Sequence, residues 1–204
     1  TLIGGTGVET ITGTSSDDTI RGGDGIDDID GGSGADTIVF EATGAGNDAD
    51  TLTFVIADDK MDFTEFLGSA YSVLDGNGVT AGIGSYTASS NSDVDITGKV
   101  AIFEYSNDDT TNASTGLTAA DLFAEVDGSS DAFALTDGKA VLISVDENSS
   151  ATTANQDHKL DIWFVDTALD GVAGLSVNDF VQVADVDNIV DSLFDTLAST
   201  NFVA

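Results

Sequence analysis

The chain contains no cysteine and no proline, one methionine, one tryptophan and one histidine, and only 5 lysines and arginines against 37 acids in 204 residues. Without cysteine there is no disulfide, no thiolate zinc site and no cysteine nucleophile. A single histidine, His158, excludes the paired-histidine helix of a zinc protease. A Ser-His-Asp triad would have to use His158, which sits beside Lys159 in an expected strand, and no G-x-S-x-G motif accompanies it. A surface strand residue is the simpler reading. No phosphate-binding loop, dinucleotide fingerprint or basic patch is present, and no pair of carboxylates stands out for glycoside hydrolysis. A net charge of −32 repels nucleic acid and anionic membranes alike. No apolar run approaches the roughly 20 residues of a membrane span, and the amino end lacks the pattern of a signal peptide. The chain is expected not to be an enzyme.

What is present is enough apolar residue, 41%, to build a core, so the acid content does not imply disorder. The acids serve either solvation or the binding of cations, and their positions decide between the two. Residues 4–39 divide into four nonapeptides: GGTGVETIT (4–12), GTSSDDTIR (13–21), GGDGIDDID (22–30) and GGSGADTIV (31–39). The last two fit G-G-x-G-x-D-x-U-x, with U a large aliphatic, at every fixed position. The first carries Glu9 in place of Asp, and the second keeps Gly13, Asp18 and Ile20 but loses its other glycines. Thr1, Leu2 and Ile3 read as the end of an earlier repeat, so the chain is expected to be the carboxyl-terminal piece of a longer protein.

The pattern has a physical logic. Glycine permits positive φ, so six residues can turn sharply with carbonyls pointing inward. The Asp adds a hard anionic oxygen, and calcium takes six to eight oxygen ligands. The last three residues of each repeat form a short strand with an inward aliphatic. Ile11, Ile20, Ile29 and Ile38 recur at a constant interval of nine, which a flexible Gly/Asp linker does not need.

These nonapeptides resemble the calcium-binding repeats of the RTX family. The resemblance implies a parallel β-roll in which two repeats complete one coil and calcium ions line both sides. Carried over by register, Asp18 and Asp36 would face one row of ions and Glu9 and Asp27 the other. Gly22, Gly23, Gly25, Gly31, Gly32 and Gly34 would supply turns and carbonyls. After Phe40 the register breaks. Residues 41–54 read as a capping turn in which Asp48 or Asp50 restores one more ligand. Residues 56–66 are similar to the acidic, Phe-containing segment that closes such rolls, as the end coil of a repeat array requires.

From about residue 55 the pattern changes to period-two strands between Gly/Ser/Asn/Asp turns. The fold class expected is therefore all-β: a short parallel roll with its cap (1–54), then a β-rich, sandwich-like domain with a few short helices (55–204). The clearest strands are 99–105, 139–146 and 158–166, with weaker ones near 70–74, 79–87 and 180–184. Thr118 and Asp121 frame a capping box for a helix over 118–125, and apolar periodicity predicts another over 187–198. Asp166, Asp170 and Asp179 lie where a loop resembling the first half of an EF-hand would need ligands. Ala168 and Val177 occupy two of its ligand positions, and a solvated turn is the simpler account. Asp75-Gly-Asn-Gly78, Asp127-Gly128 and Asp146-Glu-Asn148 likewise read as turns.

The carboxyl end, LFDTLASTNFVA (193–204), is similar to the uncleaved type I secretion signals of RTX proteins. A plain edge strand at Phe202 and Val203 is compatible with that reading. The composition resembles that of RTX surface-layer and other self-assembling exoproteins. Three functions follow from the resemblance: a calcium-dependent surface-layer or matrix protein, the secretion module of an exoenzyme, or the terminal module of a large adhesin. The expected cofactor is calcium. The expected partners are further copies of the chain and the type I secretion machinery, at an extracellular or cell-surface location.

Overall fold

A computed structural model of the chain describes residues 1–68, 71–75, 94–105, 118–126, 133–135, 138–146, 158–171, 174–189, 197 and 199–203. The strands expected at 79–87, the turns at 76–78, 127–128 and 147–148, and most of the helix expected from 187 lie outside these residues.

Seven short strands open the chain: β1 (Leu2–Ile3), β2 (Thr10–Thr12), β3 (Thr19–Arg21), β4 (Asp28–Asp30), β5 (Thr37–Val39), β6 (Asp50–Thr53) and β7 (Lys60–Asp62). A one-turn helix α1 (Thr64–Leu67) leads to β8 (Ser72–Asp75), β9 (Val94–Asp95) and β10 (Lys99–Tyr105). Helix α2 (Ala119–Val126), β11 (Phe133–Ala134), β12 (Lys139–Asp146), β13 (His158–Asp166) and β14 (Phe180–Ile189) complete the order. Among the described residues no helix is long and apolar enough to cross a membrane.

Alternate strands go to opposite walls. The odd strands form a parallel sheet in the order β1-β3-β5-β7, and β2, β4 and β6 form the parallel start of the second sheet. The register stacks the repeat aliphatics in two columns. One runs Leu2, Ile20, Ile38, Met61 and the other Ile11, Ile29, Leu52. The six after Leu2 are buried, and each contributes about 2 kcal/mol of transfer free energy. This apolar spine answers the interval of nine, and the chain is a β-roll followed by a β-rich region.

The second sheet does not stop at the roll. Its order is β2-β4-β6-β14-β13-β12-β10-β8. Strand β6 pairs with β4 on one side and with β14 on the other, through Ala184↔Asp50, Asp185↔Thr51 and Val186↔Leu52. Leu160, Ile162 and Phe164 of β13 face the same buried cluster as the roll aliphatics. Trp163 and Val165 face a second cluster on the other side, with Leu142, Phe180 and Leu122 of α2. Covering on both faces explains why these strands carry apolar residues at nearly every position.

Helix α2 starts directly after Thr118, close to its expected place. The helix expected over 187–198 does not begin where periodicity put it. Residues 187–189 continue β14 and reach β13 through His158↔Ile189. A long antiparallel partner outweighs a local helical pattern at these positions.

The carboxyl end returns to the roll. Phe202 forms a bridge to Met61, the Val203 amide donates to the Met61 carbonyl at 3.0 Å, and the Phe202 ring stacks on Phe63 at 6.2 Å between centroids.

Candidate calcium-binding site

Stacking of the six-residue turns depends on backbone approaching backbone. Gly23 and Gly25 adopt φ of 94° and 122°, where L residues are strained. A Cβ on Gly23 would stand 2.3 Å from the Gly5 carbonyl oxygen, and one on Gly25 would stand 2.0 Å from that of Gly7. The turn 22–27 therefore lies directly on the turn 4–9, eighteen residues earlier, as Gly32 and Gly34 place 31–36 on 13–18.

This stacking aligns the acidic positions into two ladders. On one side the Glu9 amide donates to Asp27 Oδ1 and the Asp27 amide donates to Asp50 Oδ1, each at 2.8 Å. On the other side the Asp18 amide donates to Asp36 Oδ1 at 2.8 Å, and the Asp36 amide donates to Asp59 Oδ1 at 3.0 Å. One oxygen of each receiving carboxylate is thus fixed by backbone, which aims the other. Asp27 Oδ2 and Asp36 Oδ2 are buried and have no hydrogen-bond partner. Asp27 Oδ2 and Asp50 Oδ2 converge on Gly22, 2.7 and 3.0 Å from where its Cβ would be, and Asp36 Oδ2 lies 2.5 Å from the corresponding point on Gly31.

Buried carboxylate oxygens without donors are costly, and facing pairs of them more so. Burial pushes the Asp50 carboxyl up to about 8, helped by the like charges of Asp27, Glu41 and Asp48. Burial likewise raises Asp27 and Asp59. Asp18, more exposed, is lowered by the Thr14 hydroxyl and amide that donate to it. The bases offer little relief. Arg21 is paired with Glu65, and Lys139 lies 3.7 Å from Asp166.

The donor set suits a hard cation. Among the described residues no three His, Cys, Asp or Glu side chains form a ready-made cage. A divalent ion between stacked turns would be held by carboxylates in pairs, with inward carbonyls of the glycine turns supplying the remaining oxygens. The site residues that would serve are Glu9, Asp18, Asp27, Asp36 and Asp50, on the turns built by Gly22, Gly23, Gly25, Gly31, Gly32 and Gly34.

Asp59 is the ladder residue that the repeat pattern did not point to. Its other oxygen is satisfied, because the Val55 amide donates to Oδ2 at 2.8 Å. The turn before it closes on itself, with the Asp58 and Asp59 amides donating to the Val55 carbonyl. The Asn201 amide group then donates to the carbonyls of Ile56 and Asp59 at 2.6 and 3.1 Å. Asp59 thus ends its ladder as a hydrogen-bonded cap. A usable signal existed: Asp50-Thr51-Leu52 and Asp59-Lys60-Met61 both read D-x-U and stand nine apart.

Asp170 and Asp179 meet at Ser176, where Asp179 Oδ1 is buried without a partner, while no third acidic residue among the described residues joins them. The Ala168 amide donates to Asp166, whose other oxygen faces Lys139. Asp170 accepts from the Ser176 hydroxyl at 2.6 Å, and Asp179 accepts from the Ser176 amide at 2.7 Å as part of a capping box.

Residues 3–38 match the family model described as the RTX calcium-binding nonapeptide repeat, in four copies. No curated protein matches the chain. RTX repeat proteins are typically secreted, and their nonapeptides bind calcium. Residues 3–38, coiled into a parallel roll in which Asp27 and Asp36 each keep a buried oxygen without a donor, are thus a calcium-binding RTX repeat region.

Proposed function

We propose that this chain is a calcium-dependent extracellular structural protein of the surface-layer or matrix type, folding on calcium after type I secretion. The observation that supports the calcium step most strongly is the pair of buried, unpartnered oxygens Asp27 Oδ2 and Asp36 Oδ2. Without a cation these oxygens oppose folding; with one they become the reason for it, since binding energy is then folding energy. In a calcium-poor cytosol the chain would stay extended enough to thread an export channel, and outside it would fold.

A structural rather than catalytic role is supported by the lack of a nucleophile–base motif in a sequence with one histidine. Assembly is supported by the Cys-free, Lys-poor, Thr/Ser/Ala/Gly/Asp-rich composition. The test is electron microscopy of the purified chain in millimolar calcium and in chelator. Ordered sheets or filaments that appear only with calcium support the assembly role. A monodisperse monomer in both conditions removes it and leaves the calcium-binding roll intact.

A further inference from the structure

The two ladders share an irregularity. Within the repeats the amide and its carboxylate are 18 residues apart, whereas Asp27–Asp50 and Asp36–Asp59 are each 23 apart. The five extra residues fall between Phe40 and Gly46, and they are not loose. Thr43 accepts from the Gly46 amide and opens a short 3-10 turn at Gly44–Gly46. Buried Asn47 ties the excursion back, accepting from the Glu41 amide at 2.9 Å and donating to the Thr43 carbonyl at 2.8 Å. Gly44 lies against Val181 of β14, so the excursion is wedged between the roll and the long sheet.

The excursion brings acid to a place that already has an excess of it. Glu41 is half-buried near the Gly23 amide, and burial raises its carboxyl. Asp48, in the left-handed region at φ 37°, accepts from the Gly25 amide at 3.3 Å. Both therefore touch the turn 22–27, whose own Asp27 has a buried oxygen without a partner. Arg21, the base nearest Glu41, is engaged by Glu65.

We propose that Glu41 and Asp48 join Asp27 and Asp50 to make a calcium site richer in carboxylates than the other turns of the roll, and the tightest in the chain. This rests on the calcium-binding reading of the ladders. The four like charges repel, with oxygens of Asp27 and Asp50 converging on Gly22 and Asp48 leaning on the Gly25 amide at the rim. An ion between Asp27 and Asp50 removes that repulsion and draws the two rim carboxylates inward.

The test is calorimetric titration with calcium chloride of the whole chain and four variants. Glu41→Gln and Asp48→Asn should each weaken one class of sites by about ten-fold or more and leave the others unchanged, because affinity follows the number of charged ligands. Glu41→Asp, which keeps the charge and shortens the reach, should weaken the same class. Asp24→Asn, in the same turn but exposed, should change no class by more than about two-fold, since an exposed charge is screened. If Asp24→Asn matched Glu41→Gln, only the general field would matter and the proposal would fall. Unchanged binding in Glu41→Gln and Asp48→Asn would also overturn it. Failure of the unaltered chain to bind calcium at all would instead remove the reading on which it rests.

Discussion

The amide of Asp36 donates to the carboxylate of Asp59 at 3.0 Å, across the interval where the repeat pattern has already lapsed. The ladder therefore outlasts the glycines that announce it. In the repeats a carboxylate oxygen is left without a donor, as in Asp36; at Asp59 both oxygens are taken and the coil is finished by hydrogen bonds. Ladder positions and cap positions should accordingly respond differently to calcium.

Asp27→Ala and Asp36→Ala should each lower calcium-induced folding, by about 1.4 kcal/mol for every ten-fold loss of affinity at one site. Asp75→Ala, outside the ladders in β8, should change the calcium midpoint little. Asp59→Asn retains one acceptor oxygen, so it should destabilise the folded chain while leaving the number of ions bound unchanged. Calorimetry read together with calcium-dependent circular dichroism checks all four. Equal effects of Asp27→Ala, Asp36→Ala and Asp75→Ala would show that the ladders are not special.

In chelator the pH dependence should be that of buried acids. The Asp50 carboxyl is raised by burial from 3.8 to about 8 in the folded chain. A raised folded value means stability fully present below the unfolded value and lost as pH rises through the folded one. The calcium-free roll should thus be most ordered near the lower end of that window and least ordered above the upper end. Calcium, which competes with the proton for the same oxygens, should bind more tightly as pH rises. Thermal melts in chelator across the window read the first effect, and calcium titrations at its two ends read the second.

Asn201→Ala should cost about 1–3 kcal/mol even in saturating calcium, because it strips donors from the carbonyls of Ile56 and Asp59 in a buried setting. Denaturant unfolding measures this. A loss seen only when calcium is scarce would mean that the tail acts through the ions rather than as a cap on the last coil.

Gly25→Ala combines a φ of 122° with a Cβ 2.0 Å from the Gly7 carbonyl oxygen, whereas Gly171→Ala has a positive φ of 72° and nothing within 4 Å. The second should cost about 1–3 kcal/mol from strain, and the first should prevent the turns from stacking and abolish folding of the roll at moderate calcium. Circular dichroism of the two variants at matched calcium separates strain from steric exclusion.

The repeat portion of the fold was legible because its signals are local and periodic: an aliphatic every nine residues and glycines at fixed places. Asp50 was reachable from D-x-U spacing after the break. Asp59 carries the same D-x-U signal nine residues later but is obscured, because residues 54–59 contain no glycine and the five-residue excursion moved both late rungs off the count of eighteen. The pairing of β6 with β14, and of Phe202 with Met61, joins residues far apart in sequence, and nothing local encodes such contacts. For the same reason 187–189 read as helix from their own periodicity, although β13 holds them as strand.

The central claim is that calcium, and not backbone hydrogen bonding alone, holds the two carboxylate ladders together. Hydrogen exchange at the amides of Asp18, Asp27 and Asp36, each of which donates to a ladder carboxylate, tests it most directly. In millimolar calcium these amides should be protected to the level of the core strands; in chelator they should exchange at the rate of an open chain. Equal protection in both conditions would contradict the account.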